Sequence, residues 1–179
     1  KIDNMIRFEF LEQELWLLPE KALFWAAEKT AVIADLHLGK AATFRAHGIA
    51  LPGGTTGTDL ARVTAVLEQT KAERLLILGD LLHAKAGRSE RLHEAVAAWR
   101  RNHAALAIDL VLGNHDAHAG RPPESWGMNC VDVLRERPFV WLHEPRPSAE
   151  DGYVMAGHVH AGVSLHGGGE RLTLPAVYI

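Results

Sequence analysis

Short apolar runs recur along this chain, and each is closed by a polar or glycine-containing cluster. Runs of this length, rich in branched and aromatic residues, favour β-strands. The early runs predict a hairpin and two further strands, at Met5 to Leu11, Leu15 to Leu18, Ala22 to Trp25 and Thr30 to Ala34. Later runs of strand length are Leu75 to Leu78, Ile108 to Leu112, Phe139 to Leu142 and Tyr153 to Ala156. The three glycines from Gly167 suit a last hairpin between Val163 and Leu174.

Three segments between these runs have helical features instead. Lys40 to His47 predicts a short helix that stops at Gly48. Thr56 or Thr58 can cap a helix that ends near Thr70, and Ser89 can begin another that ends near Asn102. Ala119 to Trp126 is predicted to be a proline-rich loop. Strands that alternate with helices and then give way to a strand-rich second half predict an α/β fold of two packed sheets with flanking helices.

Composition limits the class of protein. With 179 residues, 47% of them hydrophobic, the chain is expected to form one domain over residues 1–179. The net charge of −3 argues against a protein that coats nucleic acid through bulk charge. Cys130 is the only cysteine, so no internal disulfide forms, and its apolar surroundings predict a core residue. No apolar stretch reaches the ~20 residues of a membrane span, and there is no secretory signal, which predicts a cytoplasmic location and no membrane partner.

Both ends of the sequence carry expectations of their own. Residues 1–4 precede Met5 and are expected to be left over from expression rather than native. The apolar strand predicted from Leu172 stops at Ile179 without a polar tail. Because soluble proteins usually blunt such an edge, Ile179 is not expected to be the native terminus.

Polar motifs follow five of the predicted strands. The side chains in them that suit metal binding are Asp35, His37, Asp80, Asn114, His143, His158 and His160. Polar clusters at successive strand ends converge on one edge of a sheet. Residues i and i+2 of an extended segment point to the same side, so Asp35 with His37, and His158 with His160, can offer donor groups to one small volume.

Asp80 is the natural bridge between two cations because a carboxylate has two oxygens. Two divalent ions held by Asp35, Asp80 and neutral ligands would leave a formal charge of about plus two, which favours an anionic substrate. Ligands of mixed nitrogen and oxygen suit manganese, iron or zinc better than calcium. A basic segment beside Asp80 contains Lys85 and Arg88, which are predicted to hold phosphates.

Two glycine-containing segments resemble known functional motifs but lack essential residues of them. Gly39-Lys40 lacks the earlier glycine of a phosphate-binding loop, and Ala41 replaces its Ser or Thr. The glycines after His166 have no Gly-x-Ser-x-Gly elbow to serve as an esterase site. Surface or structural roles are predicted for the remaining histidines, His47, His93, His103, His118 and His166.

The ordered motifs from Asp35 to His160 resemble those of the calcineurin-like metallophosphoesterase superfamily. Longer strings resemble the bacterial ligase-associated DNA damage response endonucleases (PdeM), which are similar to the nuclease subunit of SbcCD. These strings are Leu17-Leu18-Pro19-Glu20-Lys21-Ala22-Leu23-Phe24-Trp25, Ala34-Asp35-Leu36-His37-Leu38-Gly39-Lys40-Ala41-Ala42-Thr43-Phe44-Arg45 and Gly79-Asp80-Leu81-Leu82-His83-Ala84. The resemblance implies a β-sandwich of two mixed sheets flanked by helices, with manganese as the usual metal. It also implies neighbours in DNA repair, including a DNA ligase and a helicase.

Each of these residues has an expected role at the metal site. Asp35, His37, Asp80 and His160 are expected to hold one metal, and Asp80, Asn114, His143 and His158 the other. His115 should protonate the leaving oxygen because its neighbour Asn114 already points at the metal. Asp116 is expected to orient His115 through a ring N–H. His83, which matches a histidine of the similar nucleases, is expected either to contact substrate or to buttress Asp80.

The predicted activity is metal-assisted hydrolysis of a phosphodiester, most plausibly in DNA. A phosphomonoesterase, or a phosphodiesterase for small or cyclic nucleotides, would share every ligand and differ only in the walls of the cleft. A non-catalytic scaffold of the same fold, like the metallophosphoesterase-fold subunit of retromer, would normally have eroded ligands. All seven are intact here, together with His115.

Overall fold

The computed structural model describes residues 5–49, 55–147, 152–167 and 170–176. Twelve strands lie within these residues: β1 (Ile6–Phe10), β2 (Gln13–Leu18), β3 (Ala22–Trp25), β4 (Thr30–Ile33), β5 (Arg74–Leu78), β6 (Ala107–Val111), β7 (Asn129–Val131), β8 (Leu134–Glu136), β9 (Phe139–Leu142), β10 (Tyr153–Ala156), β11 (Gly162–Gly167) and β12 (Glu170–Pro175). The described helices are α1 (Lys40–Ala46), α2 (Thr55–Thr70), α3 (Glu90–Asn102) and α4 (Asn114–Ala119), with short 3-10 turns at Lys85–Gly87 and Glu124–Trp126.

The larger sheet contains β1 to β7 in chain order. Strands β1 to β4 pair antiparallel through tight turns, whereas β4 to β7 pair parallel. Parallel neighbours need crossover connections, which the helices provide. The register places Ile33 beside Ile77 and Ile77 beside Leu110, so β4, β5 and β6 end at the same edge.

A smaller sheet in the order β10-β9-β8 covers one face of the larger sheet. Its central strand β9 is buried along its whole length. Trp25 of β3 contacts Phe139 and Trp141 of β9, with ring centroids 5.2 Å and 5.8 Å apart. Both sheets are mixed, and their inner faces form one aromatic and aliphatic core. The predicted sandwich of two mixed sheets is confirmed.

Helices cover the opposite face of the larger sheet. The inward stripe of α2 and α3 consists of Leu60, Val63, Val66, Leu67, Leu92 and Val96. Ser89 caps α3 by accepting a hydrogen bond from the main-chain nitrogen of Leu92 at 3.2 Å. The indole of Trp99 donates to the Thr64 hydroxyl at 2.9 Å and ties α3 to α2. None of the described helices combines the length and apolar character needed to cross a membrane.

Several local predictions need correction. Helix α2 already includes Thr55, so Thr56 and Thr58 lie inside it and do not cap it. The segment after β6 forms α4, and the predicted loop from Ala119 contains the 3-10 turn at Glu124–Trp126. Strands β11 and β12 pair with each other as predicted, whereas residues 168–169 of their turn lie outside the described residues. The same holds for residues 1–4 and 177–179, on which the expectations about the two ends rest.

Candidate metal centre

The seven predicted ligands meet at the edge where β4, β5 and β6 end. Asp35 and His37 follow β4, Asp80 follows β5 and Asn114 begins α4 after β6. The smaller sheet adds His143 after β9, and His158 and His160 after β10. Strands of both sheets therefore deliver side chains to one place.

Two ligand groups form within this set. The donor atoms of Asp35, His37 and His160 lie within 4.8 Å of one another, and so do those of Asp80, His143 and His158.

Asp80 belongs to the second group and also faces the first. Its Oδ1 is 3.4 Å from His143 Nε2, and its Oδ2 is 3.8 Å from His37 Nε2. The side chain is only 2% exposed, so its two oxygens are fixed toward opposite groups. This is the arrangement that a bridging carboxylate requires.

Asn114 joins the second group through its side-chain carbonyl. Its Oδ1 lies 3.0 Å from His143 Nε2. His143 is in turn held from behind, with Nδ1 2.9 Å from the main-chain oxygen of Leu78. That contact fixes the ring so that Nε2 faces Asp80, Asn114 and His158.

The donor atoms of this cluster fit divalent cations. Asp35 Oδ1 is buried and has no hydrogen-bond partner among the described residues. His143 Nε2 and His158 Nδ1 face each other at 3.1 Å. A buried polar atom without a partner costs about 1–3 kcal/mol. One cation in each group would satisfy these atoms, so the residues present suit a metal centre.

Burial also shifts the pKa values of two predicted ligands, His37 and Asp35. Burial lowers the pKa of His37 to about 4, so its imidazole is neutral near pH 7, which is the form that binds metal. Burial raises the pKa of Asp35, while the nearby His160 and His143 oppose that shift. A cation beside Asp35 would favour the ionised carboxylate further.

The backbone of the centre is strained. Five predicted ligands have positive φ angles: Asp35 (54°), His37 (48°), Asp80 (51°), His158 (65°) and His160 (49°). Such conformations cost on the order of 1–3 kcal/mol each and cluster at functional sites. The loops after β4 and β5 hold one another in place, since His37 N donates to Asp80 O at 2.8 Å and Leu38 N donates to Leu81 O at 2.8 Å.

Two glycines make room for the ligands. A Cβ on Gly79 would lie 2.1 Å from His143 Nδ1, and one on Gly113 would lie 2.2 Å from Asp80 Oδ1. Neither distance is compatible with a side chain. The glycines of Gly79-Asp80 and Gly113-Asn114 are therefore part of the site's packing.

His115 borders the centre outside these two groups, and its donor atom and those of His37 and His83 also lie within 4.8 Å of one another. Its Nδ1 lies 2.7 Å from the main-chain oxygen of His83, and its Nε2 lies 4.0 Å from Asp80 Oδ2. The His83 ring stacks on it, with centroids 5.1 Å apart and an interplanar angle of 18°. The Phe44 ring also stacks on His83, with centroids 6.0 Å apart, a contact that the sequence did not predict.

The expectation that Asp116 orients His115 is wrong in this structure. The Asp116 carboxylate accepts hydrogen bonds from the main-chain nitrogens of Leu82 and Gly113, both at 3.0 Å. It occupies the third position of α4, from which a carboxylate turns back to the start of its own helix. Asp116 thus joins the loop after β5 to α4, and the main chain of His83 holds His115 instead.

Lys85 and Arg88 are placed differently from each other. Lys85 is exposed in the 3-10 turn after His83. Arg88 Nη1 instead donates to the main-chain oxygens of Ala119, Gly120 and Arg121 at 3.0–3.1 Å. Arg88 therefore holds the end of α4 through Nη1, and phosphate binding by Lys85 and Arg88 stays a prediction.

A cavity of about 700 Å³ opens beside the second ligand group. Its wall includes Leu112, Asn114, Arg121, Leu142, His143 and Arg146. Neither arginine lies in a ligand motif, so the sequence did not mark them as functional residues. Their closeness in sequence to Asn114 and His143 could have indicated that they lie near the site.

Comparison with known proteins agrees with this geometry. Among solved structures, the nuclease MPE of Pseudomonas putida matches with a TM-score of 0.86 at 40% sequence identity, over 96% of this chain and 80% of that one. A comparison with curated protein sequences gives no significant match. Residues 28–172 match the family described as calcineurin-like phosphoesterase. Since that match spans most of the sequence, the chain belongs to the calcineurin-like phosphoesterase family.

Proposed function

We propose that this chain is a metal-dependent endonuclease that hydrolyses phosphodiester bonds in DNA with two divalent ions that share Asp80. The observation that carries the proposal is the pair of aspartate and histidine groups on either side of one buried carboxylate. The similarity to a nuclease at 40% identity supports a polynucleotide substrate.

The proposed ligand sets follow the two groups. Asp35, His37, Asp80 and His160 would hold one ion, and Asp80, Asn114, His143 and His158 the other. Imidazole nitrogens with carboxylate and amide oxygens suit manganese, with iron and zinc as alternatives. When bound, the ions would polarise the phosphoryl oxygens and lower the pKa of water so that hydroxide is available near neutral pH.

The chain's own residues would orient the ester and move the proton. In its doubly protonated form, His115 donates a hydrogen bond from Nδ1–H to the main-chain oxygen of His83 and would transfer the Nε2 proton to the leaving oxygen, which leaves a neutral ring. General acids of this kind typically contribute roughly 10²–10⁴-fold in rate. His83 stacks on His115 and limits the ring's rotation, so its contribution is to position the acid.

The proposed biological setting is DNA repair in the cytoplasm, where a DNA ligase and a helicase would act on the same lesions. This setting follows from the resemblance to the ligase-associated endonucleases. A phosphomonoesterase would use the same ligands, so the choice of substrate must be tested directly.

The test uses chelator-treated protein and three substrates: a DNA oligonucleotide, bis-p-nitrophenyl phosphate and p-nitrophenyl phosphate. We expect manganese to restore cleavage of the first two, and elemental analysis to find two ions per chain. Hydrolysis of p-nitrophenyl phosphate alone would identify a phosphomonoesterase and overturn the proposal. Two bound ions without activity on any substrate would indicate a scaffold.

A further inference from the structure

We infer that the cavity beside Asn114 and His143 is a subsite for the nucleotide next to the scissile phosphate, and that Arg121 and Arg146 hold its phosphate. This inference rests on the proposed function and names what distinguishes a polynucleotide from a small diester at the same centre.

The cavity lies where a nucleotide next to the scissile phosphate would be. Gly113, Asn114 and His143 form part of its wall, so the cavity borders the second ligand group. Its volume of about 700 Å³ falls within the roughly 300–1,000 Å³ of small-molecule sites. A nucleotide attached to a phosphate at the metal centre would therefore reach it without leaving the protein surface.

Two arginines at the cavity can bind a phosphate. Both Arg121 and Arg146 are exposed at the cavity, and neither guanidinium has a hydrogen bond or ion pair with a residue that the structure describes. Other arginines differ: Arg74 pairs with Asp109 at 2.6 Å, and Arg100 donates to the Trp126 oxygen at 2.8 Å. A guanidinium that remains available can bind phosphate through two parallel hydrogen bonds.

The acidic residues of the wall show why individual contacts matter more than overall charge. Asp132 and Glu144 also line the cavity and offset the formal charge of the two arginines. The carboxylate of Asp116 is already satisfied by main-chain nitrogens. Attraction of any anion by a positive field is therefore weak, and binding depends on where each guanidinium points.

The local structure fixes where Arg121 lies. It follows Gly120, whose φ of +88° ends α4, and its main-chain oxygen accepts from Arg88 Nη1 at 3.0 Å. Arg88 therefore acts as a positioning residue for Arg121. Arg146 lies three residues after His143, so each arginine is carried by a segment that begins at a predicted metal ligand.

The test compares Arg121→Ala, Arg146→Ala and the double variant with Arg101→Ala. Arg101 is exposed at the end of α3 and does not line the cavity, so it controls for the loss of one surface charge. Steady-state kinetics are measured with manganese on a DNA oligonucleotide and on bis-p-nitrophenyl phosphate. Fluorescence anisotropy with a labelled oligonucleotide, in chelator to prevent cleavage, gives binding and its salt dependence.

We expect the double variant to raise KM for the oligonucleotide by about tenfold or more, with a much smaller effect on kcat, as for lost charge-assisted contacts. The slope of log affinity against log salt should fall by about one for each arginine removed. Arg101→Ala should behave as the wild type. An unchanged KM and salt slope, or an equal loss on both substrates, would overturn the inference. If wild-type protein cleaves bis-p-nitrophenyl phosphate but no DNA, both the proposed function and this inference are overturned.

Discussion

The ring nitrogen Nδ1 of His115 lies 2.7 Å from the main-chain oxygen of His83. Because a carbonyl oxygen can only accept, Nδ1 is protonated in this contact, and Nε2, which would hold the proton that is transferred, is directed toward the centre. The orientation of the proposed acid is thus set by the backbone of the loop after β5. A substitution of the His83 side chain would remove the stacked ring and leave this hydrogen bond in place.

His115 and Asn114 are neighbours in sequence, yet their substitution should have different effects. Asn114→Ala removes a predicted ligand and should weaken manganese binding at the second group. His115→Ala should keep both ions and lower kcat by roughly 10²–10⁴-fold, since it removes the proton donor. Isothermal calorimetry with manganese, followed by assays on bis-p-nitrophenyl phosphate, separates the two. Equal loss of metal in both variants would make His115 a ligand.

The packing of Gly79 against His143 can be tested with a matched pair of glycines. Gly79 and Gly48 have nearly the same φ, +76° and +77°, but a Cβ on Gly48 would meet nothing within 4 Å. Both Gly→Ala changes should cost about 1–2 kcal/mol in the free energy of unfolding through backbone strain, and Gly79→Ala should cost more because its Cβ would clash with His143. Only Gly79→Ala should also displace His143 and weaken manganese binding. Urea unfolding and calorimetry measure the two effects, and identical metal affinity in both variants would contradict the packing argument.

Most of the strands and the edge where the ligands meet could be predicted from the sequence. Each predicted ligand follows an apolar run, and carboxyl ends of parallel strands share one edge of a sheet. The distances within the site could not be predicted in this way. That Asp80 divides its oxygens between His143 and His37 depends on how the loops after β4 and β5 pair, which no motif encodes.

The contacts of Asp116 and Arg88 could not be predicted for a related reason. A motif records which side chains are close in sequence, whereas their partners depend on the direction of each side chain. Asp116 is adjacent to His115 but turns back to the main-chain nitrogen of Gly113. Arg88 is close to Asp80 in sequence, but its guanidinium reaches the end of α4. Both side chains bind main-chain groups that only the folded chain brings near.

The difference between Lys85 and Arg88 leads to a third prediction. Arg88→Ala removes three hydrogen bonds to main-chain oxygens and should lower the free energy of unfolding by about 1–3 kcal/mol. Lys85→Ala removes an exposed charge beside His83 and should leave stability within about 0.5 kcal/mol of wild type. It should instead reduce the salt slope of oligonucleotide binding by about one. A stable Arg88→Ala protein would show that those contacts contribute little.

The last prediction concerns the pH dependence of stability in metal-free protein. Burial lowers the pKa of His37 to about 4, whereas an imidazole in the unfolded chain titrates near 6.5. Between these values the unfolded state binds a proton that the folded state does not. The contribution of His37 is therefore fully present above about pH 6.5 and is lost as the pH falls toward 4.

Urea unfolding in chelator at about pH 7 and about pH 5 should show wild type losing more stability on acidification than His37→Gln. The comparison isolates His37 because both proteins keep Asp35, whose raised pKa acts in the opposite direction. His166→Gln, which removes an exposed imidazole on β11, should follow the wild type. If His37→Gln loses as much stability as wild type over this range, His37 titrates alike in folded and unfolded chains. Its neutral form would then not be set by burial, and manganese binding near pH 6 should release a proton from it.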